Sequence, residues 1–261
     1  MANTYWRDRF ARAQAAITDK NLKAVEKQLV KYYRRAAETS IQEFENVYNH
    51  ILLAQEEGRE PTPADLYKLD KYWKAQGRLR QELQKLGERQ ISLLTKYFEI
   101  NFFEIYYSFA LEGAEAFGGP LDKSAVRQMI NQIWVADGKT YSQRVWDNIG
   151  RLTETLNEEM INCVVLGKKT TELKHILQER FNISYRRADT LVRTELCHVQ
   201  TQAAHQRYKD YGIMFVEVYV DIDDRTCDEC EELNGQRFPI NGAPPLPMHP
   251  NERCCLLPVI E

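Results

Sequence analysis

The chain has 261 residues, 35 of them basic and 38 acidic, for a net charge of −3. That length holds one large domain or two of ordinary size, and the charge excludes a general nucleic-acid-coating protein, which would be basic. With 28% charged residues, 12 glycines and 9 prolines, the composition is that of a helix-rich folded chain, and no apolar run approaches the roughly 18 residues of a membrane span.

In chain order, Tyr5 to about Ile17 reads as a first helix. A second starts at Leu22, where Leu22, Val25, Leu29, Tyr32 and Ala36 step by three and four, and Phe44, Val47 and Ile51 resume the stripe. That is an amphipathic helix of roughly thirty residues. Gly58 and Pro61 break it. Thr62-Pro63-Ala64-Asp65 then has the look of a new helix start, with Thr as N-cap and Pro in the first turn. From Leu66 the apolar positions run through Trp73, Leu79, Leu83, Leu94, Phe98 and Phe103 to Tyr107, until Gly118-Gly119-Pro120 stops them. Gly77 and Gly87 are expected to mark bends. The aromatic-dense run from Tyr97 to Phe109 is most simply core. The sharper alternative is a partner-binding face, with Leu22, Val25, Leu29, Phe98, Phe102 and Tyr106 as its candidate residues.

After Pro120 the pattern predicts shorter helices, about 123–134, 142–166, 170–181 and 184–211, with Ser184 as a capped start and Gly212 as a stop. In the last helix Arg193 and Glu195 are two apart and cannot form one helical ion pair. Either they make surface salt bridges or they reach out to fix the loops that follow. His198 and His205 read as satisfied or surface residues.

From Ile213 to Asp221, Met214, Val216, Val218 and Val220 alternate with Phe215, Glu217 and Tyr219, the period of a strand. Asn234-Gly235 predicts a hairpin turn into 236–240, and Leu256 to Ile260 a closing strand. Six of the nine prolines lie beyond residue 238, so a turn-rich tail follows a helical body. Within it Cys227-Asp228-Glu229-Cys230 precedes His249 and the adjacent pair Cys254 and Cys255. A C-x-x-C turn presents two thiolates from one bend, and a His with a further Cys completes a tetrahedral shell suited to zinc. So short a segment buries little apolar surface, and a metal clip would supply the missing stability.

Other uses of these cysteines fit less well. The chain opens Met-Ala-Asn-Thr-Tyr-Trp-Arg with no secretory h-region, which speaks against disulfides. No βαβ pattern accompanies the C-x-x-C, as a thioredoxin-type site requires. Thr226 rather than Pro precedes Cys227, and no H-x-E or C-x-E lies upstream, as a zinc deaminase would need. Four protein ligands leave no position for water, so the site reads as structural.

Residues from about Trp134 onward resemble the C-terminal domain of phage minor head proteins, the head-morphogenesis family that includes the F protein of phage Mu. The segments that carry the resemblance are Tyr141-Ser142-Gln143-Arg144-Val145-Trp146, Ala188-Asp189-Thr190-Leu191-Val192-Arg193-Thr194-Glu195, and Asp223-Asp224-Arg225-Thr226-Cys227-Asp228-Glu229-Cys230. Leu233-Asn234-Gly235 and His249-Pro250-Asn251-Glu252-Arg253-Cys254 complete them. Arg193, Glu195, Asp223 and Arg225 are its structural motif. Members with cysteines often read His-Pro-x-Cys-Arg-Cys, whereas here Glu252 stands at the first Cys position and Cys255 follows Cys254. The resemblance therefore implies Cys227, Cys230, His249 and Cys254 as the zinc ligands, and replacement of Cys255 by Ser is expected to be nearly silent.

The expected fold is mostly α, with long N-terminal helices over 1–119, a helical middle over 120–212, and a small zinc-stabilised α+β module over 213–261; 120–261 would form one family domain. The resemblance implies a non-enzymatic minor head protein inside the virion, reached through assembly in the host cytoplasm, with the portal as partner. Capsid or scaffold protein, phage DNA and a second copy are further candidates. Two alternatives stand beside this. One is a metal-dependent nuclease using His249 or His198 with Asp221 and Asp223; the other is a zinc-bearing DNA-binding module using Lys168, Lys169, Arg186 and Arg187.

Overall fold

A computed structural model describes residues 2–56, 70–110, 121–224 and 226–260, with side chains from residue 7 and, in the first helix, up to residue 52. Its elements are α1 (Ala2–Glu56), α2 (Asp70–Ser108), α3 (Lys123–Ile130), α4 (Tyr141–Val165), α5 (Thr170–Asp210), β1 (Phe215–Tyr219), α6 (Asp228–Leu233), β2 (Arg237–Pro239) and β3 (Cys255–Pro258). The fold is mostly α with long N-terminal helices and a small C-terminal strand-and-helix region. No described helix is long and apolar enough to cross a membrane.

Three helical boundaries differ from expectation. The polar stretch Thr18 to Asn21 does not interrupt α1, because its side chains have partners. Asn21 is buried and donates to Asn101 Oδ1 at 3.1 Å and Glu104 Oε2 at 2.9 Å, while Thr18 donates to Gln200 Oε1 at 2.7 Å. Ser184 does not start a helix, since α5 passes through it unbroken and its carbonyl accepts from Asn148 Nδ2 at 2.9 Å. α3 ends at Ile130 rather than near Trp134. The expected breaks at Gly58, Pro61 and Gly118-Gly119-Pro120, and the Thr62 cap, fall outside the described residues.

By their contacts the residues group into two compact units, one of Met1–Glu26, Leu93–Tyr141 and Thr190–Glu261, the other of Lys27–Ser92 and Ser142–Asp189. This grouping departs from the linear division at 119 and 212, because α1, α2 and α5 each contribute to both units.

In the second unit, Tyr33 is buried and its hydroxyl donates to Gln90 Oε1 at 3.2 Å while accepting from Asn148 Nδ2 at 3.1 Å. Burial pushes its ionisation up to about 12, so the phenol stays a neutral donor. Tyr48 lies against the turn after α4, its hydroxyl 2.9 Å from the Cys163 carbonyl and 2.5 Å from that of Lys168. Gly87 sits under the Trp146 indole, and a Cβ there would lie 2.5 Å from the ring. It is a packing glycine within an unbroken helix rather than a bend.

The first unit carries the sheet, ordered β2-β1-β3 and antiparallel throughout. Val216 lies opposite Phe238 and Pro258, and Val218 opposite Leu256. Val216, Val218 and Val220 are buried as the alternation predicts, whereas Met214 is exposed and precedes the strand. The edge strand β3 is covered by two helical side chains, since Gln14 Nε2 and the Tyr208 hydroxyl both donate to the Leu256 carbonyl, at 3.3 and 3.1 Å. Unpaired backbone carbonyls at a sheet edge invite foreign strands, and that of Leu256 is satisfied by these two donors. Phe109 packs edge-on against Tyr208 with centroids 5.0 Å apart and tilts onto Phe10 at 4.9 Å. Glu217, buried in β1, is held by Arg7 at 2.9 Å and Arg237 at 3.3 Å.

Candidate metal centre

The centre begins where β1 ends. Asp223 and Thr226 close a turn, Asp223 N–H donating to Thr226 Oγ1 at 2.9 Å and Thr226 N–H to the Asp223 carbonyl at 3.1 Å. Cys227 then caps α6, its sulfur accepting from the Cys230 N–H at 3.4 Å. That N–H, with the Cys230 thiol and His249 beside it, lowers the Cys227 thiol below the ordinary range. A sulfur accepting a helix N-terminal amide is readied as a thiolate, the form that binds metal. Cys230, one turn on, is buried, and burial with the neighbouring Cys227 pushes its thiol up to about 11.

His249 completes the first group. Its Nδ1 is 3.1 Å from the Pro250 carbonyl, which can only accept, so Nδ1 carries the proton and Nε2 presents its lone pair. That Nε2 lies 3.2 Å from both the Cys227 and the Cys230 sulfurs. A ligating His is commonly fixed by just such a hydrogen bond from its other nitrogen. The same carbonyl also raises the His249 ionisation.

The segment carrying His249 is pinned on several sides. Asn251 adopts the left-handed conformation with φ 62°, which Asn tolerates better than most residues, and its N–H donates to Thr194 Oγ1 on α5 at 3.2 Å. Glu252 turns back on the segment and accepts from the Met248 N–H and, at 3.3 Å, from the His249 N–H. Arg253 reaches Asp223 Oδ1 at 2.6 Å, joining this segment to the turn before Cys227. The Cys254 carbonyl accepts from the Cys197 thiol at 3.5 Å.

Two groups of donors result. The ligand atoms of Cys227, Cys230 and His249 lie within 4.8 Å of one another, and so do those of Cys230, Glu252 and Cys254. Three of the four sequence-predicted ligands, Cys227, Cys230 and His249, thus form one group, while Cys254 falls in the second with Cys230 and Glu252. Cys255, the next residue, starts β3 and packs with Ala11 and Leu257 against Phe10 and Tyr219. Burial pushes its thiol up to about 12. The expected silence of Cys255→Ser is therefore corrected: that change puts a hydroxyl into an apolar contact. These sulfur and imidazole donors are of the kind that could hold a metal ion.

Residues 154–256 match the family described as Phage Mu protein F like protein. That stretch is Mu F-like. The match runs from within α4, through α5 and the sheet, to β3, so every residue of the two donor groups falls in the Mu F-like region. The matched stretch is less than half of the 261 residues. No curated protein and no solved structure matches the chain.

Within the Mu F-like region, Glu195 is buried and accepts from Trp134 Nε1 at 3.1 Å, while Arg193 pairs with Glu26 of α1. These contacts tie α5 to α1 and to the loop after α3, and Asp223 fixes the loops through Arg253; Arg225 lies outside the described residues. His198 is buried, stacked on Trp134 at 4.1 Å, and His205 Nε2 lies 2.7 Å from the Ile240 carbonyl. Neither His198, Asp221 nor Asp223 joins a donor group among the described residues, so the nuclease constellation is not assembled there. Lys169 and Arg186 are exposed, but sixteen residues of α5 separate them, roughly 25 Å at helical rise, so they do not make one patch. Of the candidate partner-facing residues, Val25, Leu29, Phe98, Phe102 and Tyr106 are buried in the chain itself and Leu22 is half-buried. Their side chains serve this chain's own core. Sequence reasoning noted Glu252 only as a departure from the family pattern. Its position between His249 and Cys254 was the available signal.

Proposed function

We propose that this chain is a non-enzymatic minor component of a phage head, carried inside the capsid at the portal and acting in head morphogenesis. In this reading zinc, held by Cys227, Cys230, His249 and Cys254, clips the C-terminal module. The observation that carries it is the Mu F-like match over residues 154–256 together with the convergence of cysteine and histidine donors inside that stretch. Zinc suits the site because the donors are soft sulfur and borderline nitrogen, because His249 has its second nitrogen fixed, and because the Glu252 Oε1 beside them is buried without a hydrogen-bond partner. When bound, the ion would act structurally, joining the α6 turn to the His249–Cys254 segment. The partner surface then has to lie outside the buried aromatic run, on exposed positions such as Trp73 and Tyr107 of α2.

The test is the composition of purified heads. Protein inside the capsid should copurify through gradient sedimentation, survive high-salt washing and be shielded from added protease until the heads are opened. Recovery only in the soluble fraction, or complete removal by washing, would overturn the assignment.

A further inference from the structure

We infer that Glu252 donates a carboxylate oxygen to the same metal ion as the cysteines and His249, making the centre a mixed sulfur, nitrogen and oxygen site. This rests on the metal-binding part of the proposed function and names a ligand beyond that four-residue set.

Three observations carry it. First, the Glu252 carboxylate lies within 4.8 Å of the Cys230 and Cys254 sulfurs, and Cys230 is in turn within that distance of Cys227 and His249. An ion about 2.0–2.3 Å from each donor joins ligands up to about 4.6 Å apart, close to the 4.8 Å that bounds each group, and the two groups meet at Cys230. Second, Glu252 is only 4% exposed, and no cationic side chain pairs with it among the described residues. A buried carboxylate without a counter-charge is costly, and a divalent cation supplies one. Third, its two oxygens differ. Oε2 is engaged by the Met248 and His249 N–H groups, whereas Oε1 is buried with no hydrogen-bond partner. The first oxygen fixes the carboxylate on the segment that presents His249, and the second is the free donor.

The outcome is a shell whose hardness is set by one residue. An oxygen donor raises the tolerance for harder ions relative to an all-sulfur and nitrogen set.

X-ray absorption at the zinc edge of the full chain loaded with one zinc tests this, because sulfur lies near 2.3 Å and nitrogen or oxygen near about 2.0–2.2 Å. The wild type should show two light donors, His249 and Glu252, beside its sulfurs. In Glu252→Cys the light-donor count should fall by one and the sulfur count rise by one. Glu252→Gln should weaken zinc at least tenfold in competition with a chromophoric chelator. A wild-type shell with a single light donor overturns the inference, even if Glu252→Gln weakens binding, since Glu252 would then only position His249. Failure of the wild-type chain to retain any zinc overturns the metal reading itself, so the two failures are distinguishable. Circular dichroism of both variants separates loss of a ligand from loss of the fold.

Discussion

Adjacent sulfurs with opposite surroundings make Cys254→Ser and Cys255→Ser a sharp pair. Cys254 is buried beside Cys230 and Glu252, and burial with the Glu252 charge raises its thiol well above the ordinary range. A bound ion takes the place of that proton, so metal capture there should release protons and weaken as pH falls. Structural zinc in small metal-dependent domains contributes about 10–16 kcal/mol. Spread over four or five donors, one ligand accounts for roughly 2–4 kcal/mol. Cys254→Ser should therefore weaken zinc by about 30-fold to several hundred-fold. Cys255 instead faces Ala11, Leu257, Phe10 and Tyr219. A serine there should cost about 1–3 kcal/mol by burying a hydroxyl among apolar groups, with zinc retained. Zinc per chain after dialysis against a graded chelator reads the first effect, and thermal melting with and without chelator reads the second. If Cys255→Ser lost its zinc while Cys254→Ser kept one ion per chain, the assignment of Cys254 to the metal and Cys255 to the apolar core would be refuted.

Glycine substitutions on α2 should split in sign. Gly77→Ala meets open space and should stabilise by about 0.5–1 kcal/mol, whereas Gly87→Ala drives a Cβ into the Trp146 ring and should destabilise, both read by urea titration. Tyr48→Phe removes the donor to the Cys163 and Lys168 carbonyls and should cost about 1–2 kcal/mol in the same assay. For Glu99, burial raises the carboxyl, but Arg127 and Lys123 outweigh it and leave it below its ordinary value. The unfolded chain therefore binds more protons in that window, so this stabilisation is complete above the ordinary Glu range and lost as pH falls through the lower folded value. Glu99→Gln should flatten the acid limb of a stability-versus-pH curve, and an unchanged slope would contradict the ion-pair account.

Periodicity made the helical body legible, because the stripes through Val25, Leu29, Phe98 and Phe102 are core positions. It could not show where helices continue. Thr18 to Asn21 looks like a break until Asn101, Glu104 and Gln200 are seen to satisfy it, and those partners lie far away in sequence. The division of the body was likewise hidden, since a helix that serves two units carries one uninterrupted pattern. Arg7 on Glu217 and Gln14 on Leu256 bind the first helix to the sheet, so removal of residues 1–119 would strip the module of its support. The donor cluster was legible from spacing alone because C-x-x-C and a later His and Cys restrict geometry strongly. Glu252 was not, since nothing in the sequence says that its second oxygen is buried without a partner.

The central claim, a structural head protein seated at the portal, is tested most directly by cross-linking mass spectrometry on assembled heads. Exposed lysines such as Lys74 and Lys85 on α2 are predicted to give repeated links to the portal protein, inside particles that retain zinc. Heads that contain the protein but link it only to capsid subunits remote from the portal would contradict the placement. Heads that lack it altogether would contradict the account as a whole.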